Sequence, residues 1–126
     1  LDTYRRFAKQ AVQTKCDLLA FFLEARRAGK KVAGYGAPAK GNTLLNYCGI
    51  GRELLPFTVD RSPHKQNLYL PGTHILIREP EAIFREKPDY LLILPWNLRT
   101  EISAQMSRIR EWGGKFVVPI PSLEIF

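Results

Sequence analysis

Between Asp2 and Ala28 the apolar residues Tyr4, Phe7, Ala11, Leu18, Phe22 and Ala25 recur at steps of three or four residues or their sum. That repeat places side chains on one face of an α-helix of about seven turns. Gly29 ends the run, and Arg5, Arg6, Lys9, Gln13 and Arg27 mark an opposite, solvated face. A leading helix of this length is expected to connect to a preceding domain. Residues 1–28 are therefore read as a connector and residues 29–126 as one domain, together a piece of something longer.

After Gly29 the pattern changes to short apolar runs separated by helical ones. Strands are predicted at Lys31–Tyr35, Leu55–Asp60, His74–Ile77, Tyr90–Leu94 and Lys115–Ile120, with helices at Ala39–Tyr47 and Pro80–Glu86. A further helix, capped by Asn97 or Thr100, is predicted to run to Trp112 and end at Gly113-Gly114. Arg61 to Thr73 is rich in Pro, Gly and polar residues and reads as a loop. Leu91-Leu92-Ile93-Leu94 is apolar without alternation, as a central parallel strand buried on both faces should be. Alternating strands and helices predict an α/β fold: a Rossmann-like, doubly wound, mainly parallel sheet of about five strands in the order 3-2-1-4-5, preceded by the long helix.

Bulk composition narrows the field without choosing a function. No window reaches the roughly 18 consecutive apolar residues of a membrane span. The first ten residues are too charged for a signal peptide, so a soluble, cytoplasmic protein is expected. Cys16 and Cys48 have no partner at C-x-x-C spacing, which argues against a disulfide scaffold, structural zinc or a redox motif; two buried thiols are expected. The net charge of +7 is compatible with a nucleic-acid surface, an anionic small molecule or a solubilising coat. The basic residues are dispersed and no RNA-recognition signature is present, so no nucleic-acid partner is expected.

Ligands of doubly wound sheets bind at the carboxyl ends of the strands, near the topological switch point. The first such turn, Gly34-Tyr35-Gly36-Ala37-Pro38-Ala39-Lys40-Gly41, has glycines where a backbone turns tightly, then a helix start whose free N–H groups and dipole favour phosphate. Lys40 adds positive charge. The segment also fits G-x-G-x-x-A, and Asp60 ends the second strand where a ribose-binding acid belongs. Pro38 inside the turn and the polar loop after Asp60 depart from an ordinary dinucleotide site, and Asn42 stands where a Walker A motif needs Lys. Trp96 and Asn97 follow the Leu91–Leu94 strand, either to stack on a base and bond a hydroxyl or to serve as core and helix cap. His64 and His74 have no third ligand at metal spacing, and no catalytic triad can be defended.

Taken together, the segments Val32–Asn46, Thr58–Gln66, Leu70–Ile75, Pro88–Tyr90, Leu94–Asn97 and Glu101-Ile102 resemble the C-terminal domain of S-adenosylmethionine-dependent sugar C-methyltransferases. The resemblance spans nearly the whole chain. It implies a three-part enzyme, in which an N-terminal segment binds zinc and a central domain binds S-adenosylmethionine and carries the acid/base residues. This domain would help to hold a nucleotide-diphosphate keto-deoxysugar, with neither methyl donor nor metal bound here and no catalytic residue of its own. Carried over by position, Gly34, Tyr35, Gly36, Ala37, Pro38, Lys40, Gly41 and Asn42 surround the diphosphate or sugar, and Asp60, Ser62, Lys65, Trp96 and Asn97 line the same cleft. Two other readings stay open: a small NAD-dependent oxidoreductase using Gly34, Gly36, Ala39 and Asp60, and a non-catalytic interaction module built on the long helix.

Overall fold

The computed structural model describes residues 2–126. Helix α1 (Asp2–Arg27) leads into β1 (Val32–Tyr35), α2 (Ala39–Cys48), β2 (Phe57–Val59), β3 (Leu76–Arg78), α3 (Glu81–Glu86), β4 (Tyr90–Ile93), α4 (Arg99–Gln105), β5 (Lys115–Val118) and β6 (Glu124–Ile125). One sheet has the order β3-β2-β1-β4-β5-β6. Its first five strands are parallel, as expected, and β6 pairs antiparallel with β5.

Strand side chains alternate between faces, so the unbroken apolar run of β4 serves two cores at once. Leu92 and Leu94 meet Leu18, Phe22 and Leu45 of the α1–α2 layer. Leu91 and Ile93 meet Ile83 of α3, and Ile102, Met106 and Ile109 of the α4 region. All four β4-run residues are at most 1% exposed, the environment in which such a sequence is stable.

Three expectations are corrected. The edge strand β6 was not foreseen, because Glu124 and Ile125 are both exposed and carry no burial pattern. The helix expected through Trp112 is divided into a 3-10 turn at Trp96–Leu98, then α4, then a second 3-10 segment at Ser107–Trp112. Neither Asn97 nor Thr100 caps it by a side chain. The incoming 3-10 turn supplies backbone acceptors instead: Leu98 N–H donates to the Pro95 carbonyl at 2.8 Å, and Arg99 N–H to that of Trp96. Of the two thiols only Cys48 is buried, and burial pushes its thiol up despite the opposing pull of Lys15. Cys16, two residues from both Thr14 and Leu18, falls on the far side of α1.

The apolar face of α1 is covered over only part of its length. Its stripe is buried at Thr14, Leu18, Phe21, Phe22 and Ala25, whereas Tyr4 and Phe7 are each 73% exposed. Two phenylalanines of one stripe therefore carry very different burdens. Phe22→Ala should lower unfolding free energy by about 3–5 kcal/mol, and Phe7→Ala by less than about 0.5 kcal/mol, both read from urea denaturation of the chain.

Candidate functional site

Parallel β1 and β4 lie side by side at the centre of the sheet, and the connections from them leave to opposite faces, α2 on one and α4 on the other. This is the topological switch point, where the carboxyl-end turns part and leave a crevice. The turn after β1 fits there because its glycines carry no side chains. Gly36 has φ +93°, and a Cβ on it would stand 2.6 Å from Cδ of Pro95 in the β4 loop. A Cβ on Gly41 would meet the Leu94 side chain at 2.9 Å, and one on Gly34 would meet Thr58 Oγ1 at 2.8 Å. That hydroxyl donates a buried 2.7 Å hydrogen bond to the Gly36 carbonyl, while Gly36 N–H donates to the Val59 carbonyl.

Beyond the turn, α2 begins after Pro38 with no side-chain cap. Its first intrahelical bond runs from Asn42 N–H to the Pro38 carbonyl. The amides of Ala39, Lys40 and Gly41 precede that bond and have no helical acceptor, which makes the start of α2 an anion-favouring end.

A cleft of about 460 Å³ opens at this edge, lined by Tyr35, Gly36, Ala37 and Pro38 from the β1 turn, and by Asp60, Arg61 and Lys65 from the β2 loop. Its far wall is Pro95, Leu98, Glu101, Ile102 and Gln105. The Asp60 carboxylate accepts the Ser62 N–H at 2.9 Å, and Gln66 donates to the Asp60 carbonyl, so the β2 loop is held by its own polar groups. Lys65 Nζ reaches the Ala37 carbonyl at 3.5 Å and ties that loop to the glycine turn. The Tyr35 phenol donates to Gln105 Oε1 at 3.3 Å. Burial raises its pKa, with Asp60 adding to the rise and Arg61 opposing it, so the phenol keeps its proton through neutral pH.

The structure brings together Gly34, Tyr35, Gly36, Ala37, Pro38, Asp60 and Lys65 of the residues singled out by sequence; Gly34 underlies the turn without lining the cleft. Lys40 is exposed on the first turn of α2, and Gly41 packs on Leu94. The others face elsewhere. Asn42 spends its side-chain amide on the Pro71 carbonyl, clamping the residue 70–73 loop to α2 together with Asn46. Ser62 enters through its backbone. Trp96 packs on the α3–α4 core and Asn97 is exposed, and neither lines the cleft. Sequence reasoning overlooked Arg61, Leu98, Glu101 and Gln105. The last three, with Ile102, share the i, i+3, i+4, i+7 spacing of a single helix face, the one signal available for them.

A second hollow of about 500 Å³ lies at the amino edge of the strands, against Val32 and Pro88. Its arginines are already engaged: Arg78 with Glu86 at 3.7 Å and with the Phe57 ring, Arg26 with the Glu53 carbonyl. Among the described residues no group of three or more His, Cys, Asp or Glu is arranged to hold a metal ion, and no helix is long and apolar enough to cross a membrane.

The sequence pattern of the family described as "C-methyltransferase C-terminal domain" matches residues 1–121. The C-methyltransferase NovU of Streptomyces niveus is 41% identical over 118 residues, covering 94% of this chain. The chain spans 28% of the length of that relative. Among solved structures, UDP-D-quinovosamine 4-dehydrogenase from Vibrio fischeri superposes with a TM-score of 0.54 at 20% identity, over 77% of this chain and 93% of that one. That likeness establishes the Rossmann-type fold and nothing about chemistry.

The close approach at Gly36 has a measurable consequence. Gly36 and Gly49 both adopt left-handed backbone, but a Cβ on Gly49 would meet nothing within 4 Å. Gly49→Ala should cost about 1 kcal/mol from backbone strain alone, and Gly36→Ala about 1–3 kcal/mol more as Pro95 is displaced. Thermal unfolding of the two variants side by side measures the difference.

Proposed function

Because the chain belongs to the family of C-methyltransferase C-terminal domains, we propose that it is the substrate-holding domain of a cytoplasmic, S-adenosylmethionine-dependent enzyme that methylates a nucleotide-diphosphate keto-deoxysugar. The observation that carries this reading is the cleft at the switch point, which Pro38, at the uncapped start of α2, lines together with Arg61 and Lys65, while Lys40 follows on the first turn of that helix. A diphosphate is the anion such a site suits, since free amides, a helix dipole and side-chain cations all favour it. Asp60, Glu101 and Gln105 offer partners for ribose or sugar hydroxyls, and the Tyr35 phenol oxygen, whose proton is given to Gln105, offers an acceptor.

In the whole enzyme, removal of a proton from the carbon beside the keto group makes that carbon nucleophilic, and S-adenosylmethionine supplies the methyl group. The groups for that step, and zinc, belong to preceding segments. A sulfonium donor is itself cationic and gains nothing from Arg61 and Lys65, whereas an anionic sugar nucleotide does. This chain's part is to bind the anion, orient the sugar and leave its reactive carbon facing the rest of the enzyme. Asp60, at the end of β2 and lining the cleft, is also where a dinucleotide ribose would be held, so an oxidoreductase is the second reading.

Calorimetric titration with dTDP, S-adenosylmethionine and NAD separates them. The chain should bind dTDP alone, weakened about fivefold in each of Lys40→Ala and Lys65→Ala, as for exposed charge pairs. Affinity for NAD that falls in Asp60→Ala would select the oxidoreductase. Failure of dTDP to bind both this chain and the longer enzyme at millimolar concentration would sink the sugar-nucleotide reading.

A further inference from the structure

The apolar stripe of α1 continues past the domain that buries its second half. Helix α1 is about 39 Å long at 1.5 Å per residue, against about 13 Å for a four-residue strand. Its carboxyl end sits at the amino edge of the sheet with Val32, so its first half overhangs the carboxyl edge, where Gln10 reaches the Pro121 carbonyl at 3.5 Å. There Phe7 and Ala11 face Leu44 and Tyr47 of α2 and the Ile120-Pro121 segment across a groove of about 550 Å³. Phe7 at 73% and Tyr47 at 45% exposure leave an apolar surface on both sides of the groove, of a kind that marks a contact site.

We propose that this groove is the seat of the remainder of the same polypeptide, the part that precedes this domain in the longer enzyme. Two observations select that occupant. The match to NovU covers only 28% of that protein, so most of the relative lies outside the domain. The family is by description a C-terminal domain, so the missing part precedes α1, and the groove flanks the first turns of that helix. A body seated there also stands at the edge of the sheet that carries the cleft. The inference rests on family membership and on α1, not on the identity of the ligand.

The test uses the longer enzyme, with hydrogen exchange read at the amides of residues 4–14. Phe7→Glu and Tyr47→Glu should each speed that exchange about tenfold or more as the contact is lost, and should raise the radius of gyration in small-angle scattering. Leu23→Glu, also on α1 but outside the groove, should leave both at the parent value. Tyr47 approaches the groove from α2, so agreement between the two groove variants excludes simple unravelling of α1. Equal exchange in parent and groove variants would overturn the proposal. So would a parent enzyme that sediments as a dimer and becomes a monomer in either groove variant, since the occupant would then be a second copy.

Discussion

Close approach of the bare Gly36 backbone in the β1 turn to the Pro95 ring of the β4 loop fixes the geometry of the carboxyl edge. Gly36 can face Pro95 only because it lacks the Cβ that would lie 2.6 Å from the proline ring. Thr58 locks the arrangement from the other side, its hydroxyl satisfying the Gly36 carbonyl in a place water does not reach. Gly41 then lets the first turn of α2 settle against Leu94. The start of α2, with its free amides, is thereby held against the end of the β4 run. Any side chain in this contact would move the helix start and the crevice together.

The double winding converts that local contact into a site. With β1 and β4 adjacent and their helices on opposite faces, one wall of the cleft comes from the glycine turn and the other from α4, far apart in sequence. The β2 loop closes a third side and is stiffened by Asp60, which holds Ser62 and Gln66 through its carboxylate and its carbonyl. Arg61 and Lys65 bring positive charge to the cleft, but both are exposed, so each contributes little in open water. Their effect on an anion grows as water is excluded and the local dielectric falls.

How much of this was legible in the sequence depends on whether burial or long-range placement decides a position. The central strands were readable because Leu91–Leu94 and Val32–Tyr35 must be apolar on both faces, and the glycine turn because its backbone has few alternatives. Glu124-Ile125 was not, since an exposed two-residue edge strand exists only through its pairing with β5. The far wall of the cleft was missed for a related reason. Glu101 and Gln105 share a helix face, but nothing local says that this face meets the switch point. Asn42 and Trp96 sat correctly in their segments, yet the first turned to Pro71 and the second to the core, choices made by neighbours distant in the chain.

The periodicity of α1 was read correctly as a helix with one apolar face, and that face is buried over only part of its length. A stripe running from Tyr4 to Ala25 costs solubility wherever nothing covers it, yet this domain covers only the part from Thr14 onward. The uncovered part projects past the carboxyl edge, the same edge at which the cations of the cleft stand exposed. A body seated on the stripe, as proposed, would remove Phe7 and Tyr47 from water and would stand at the edge of the sheet where Arg61 and Lys65 are exposed. Under that proposal the long helix is the element that sets where the rest of the enzyme sits relative to the cleft.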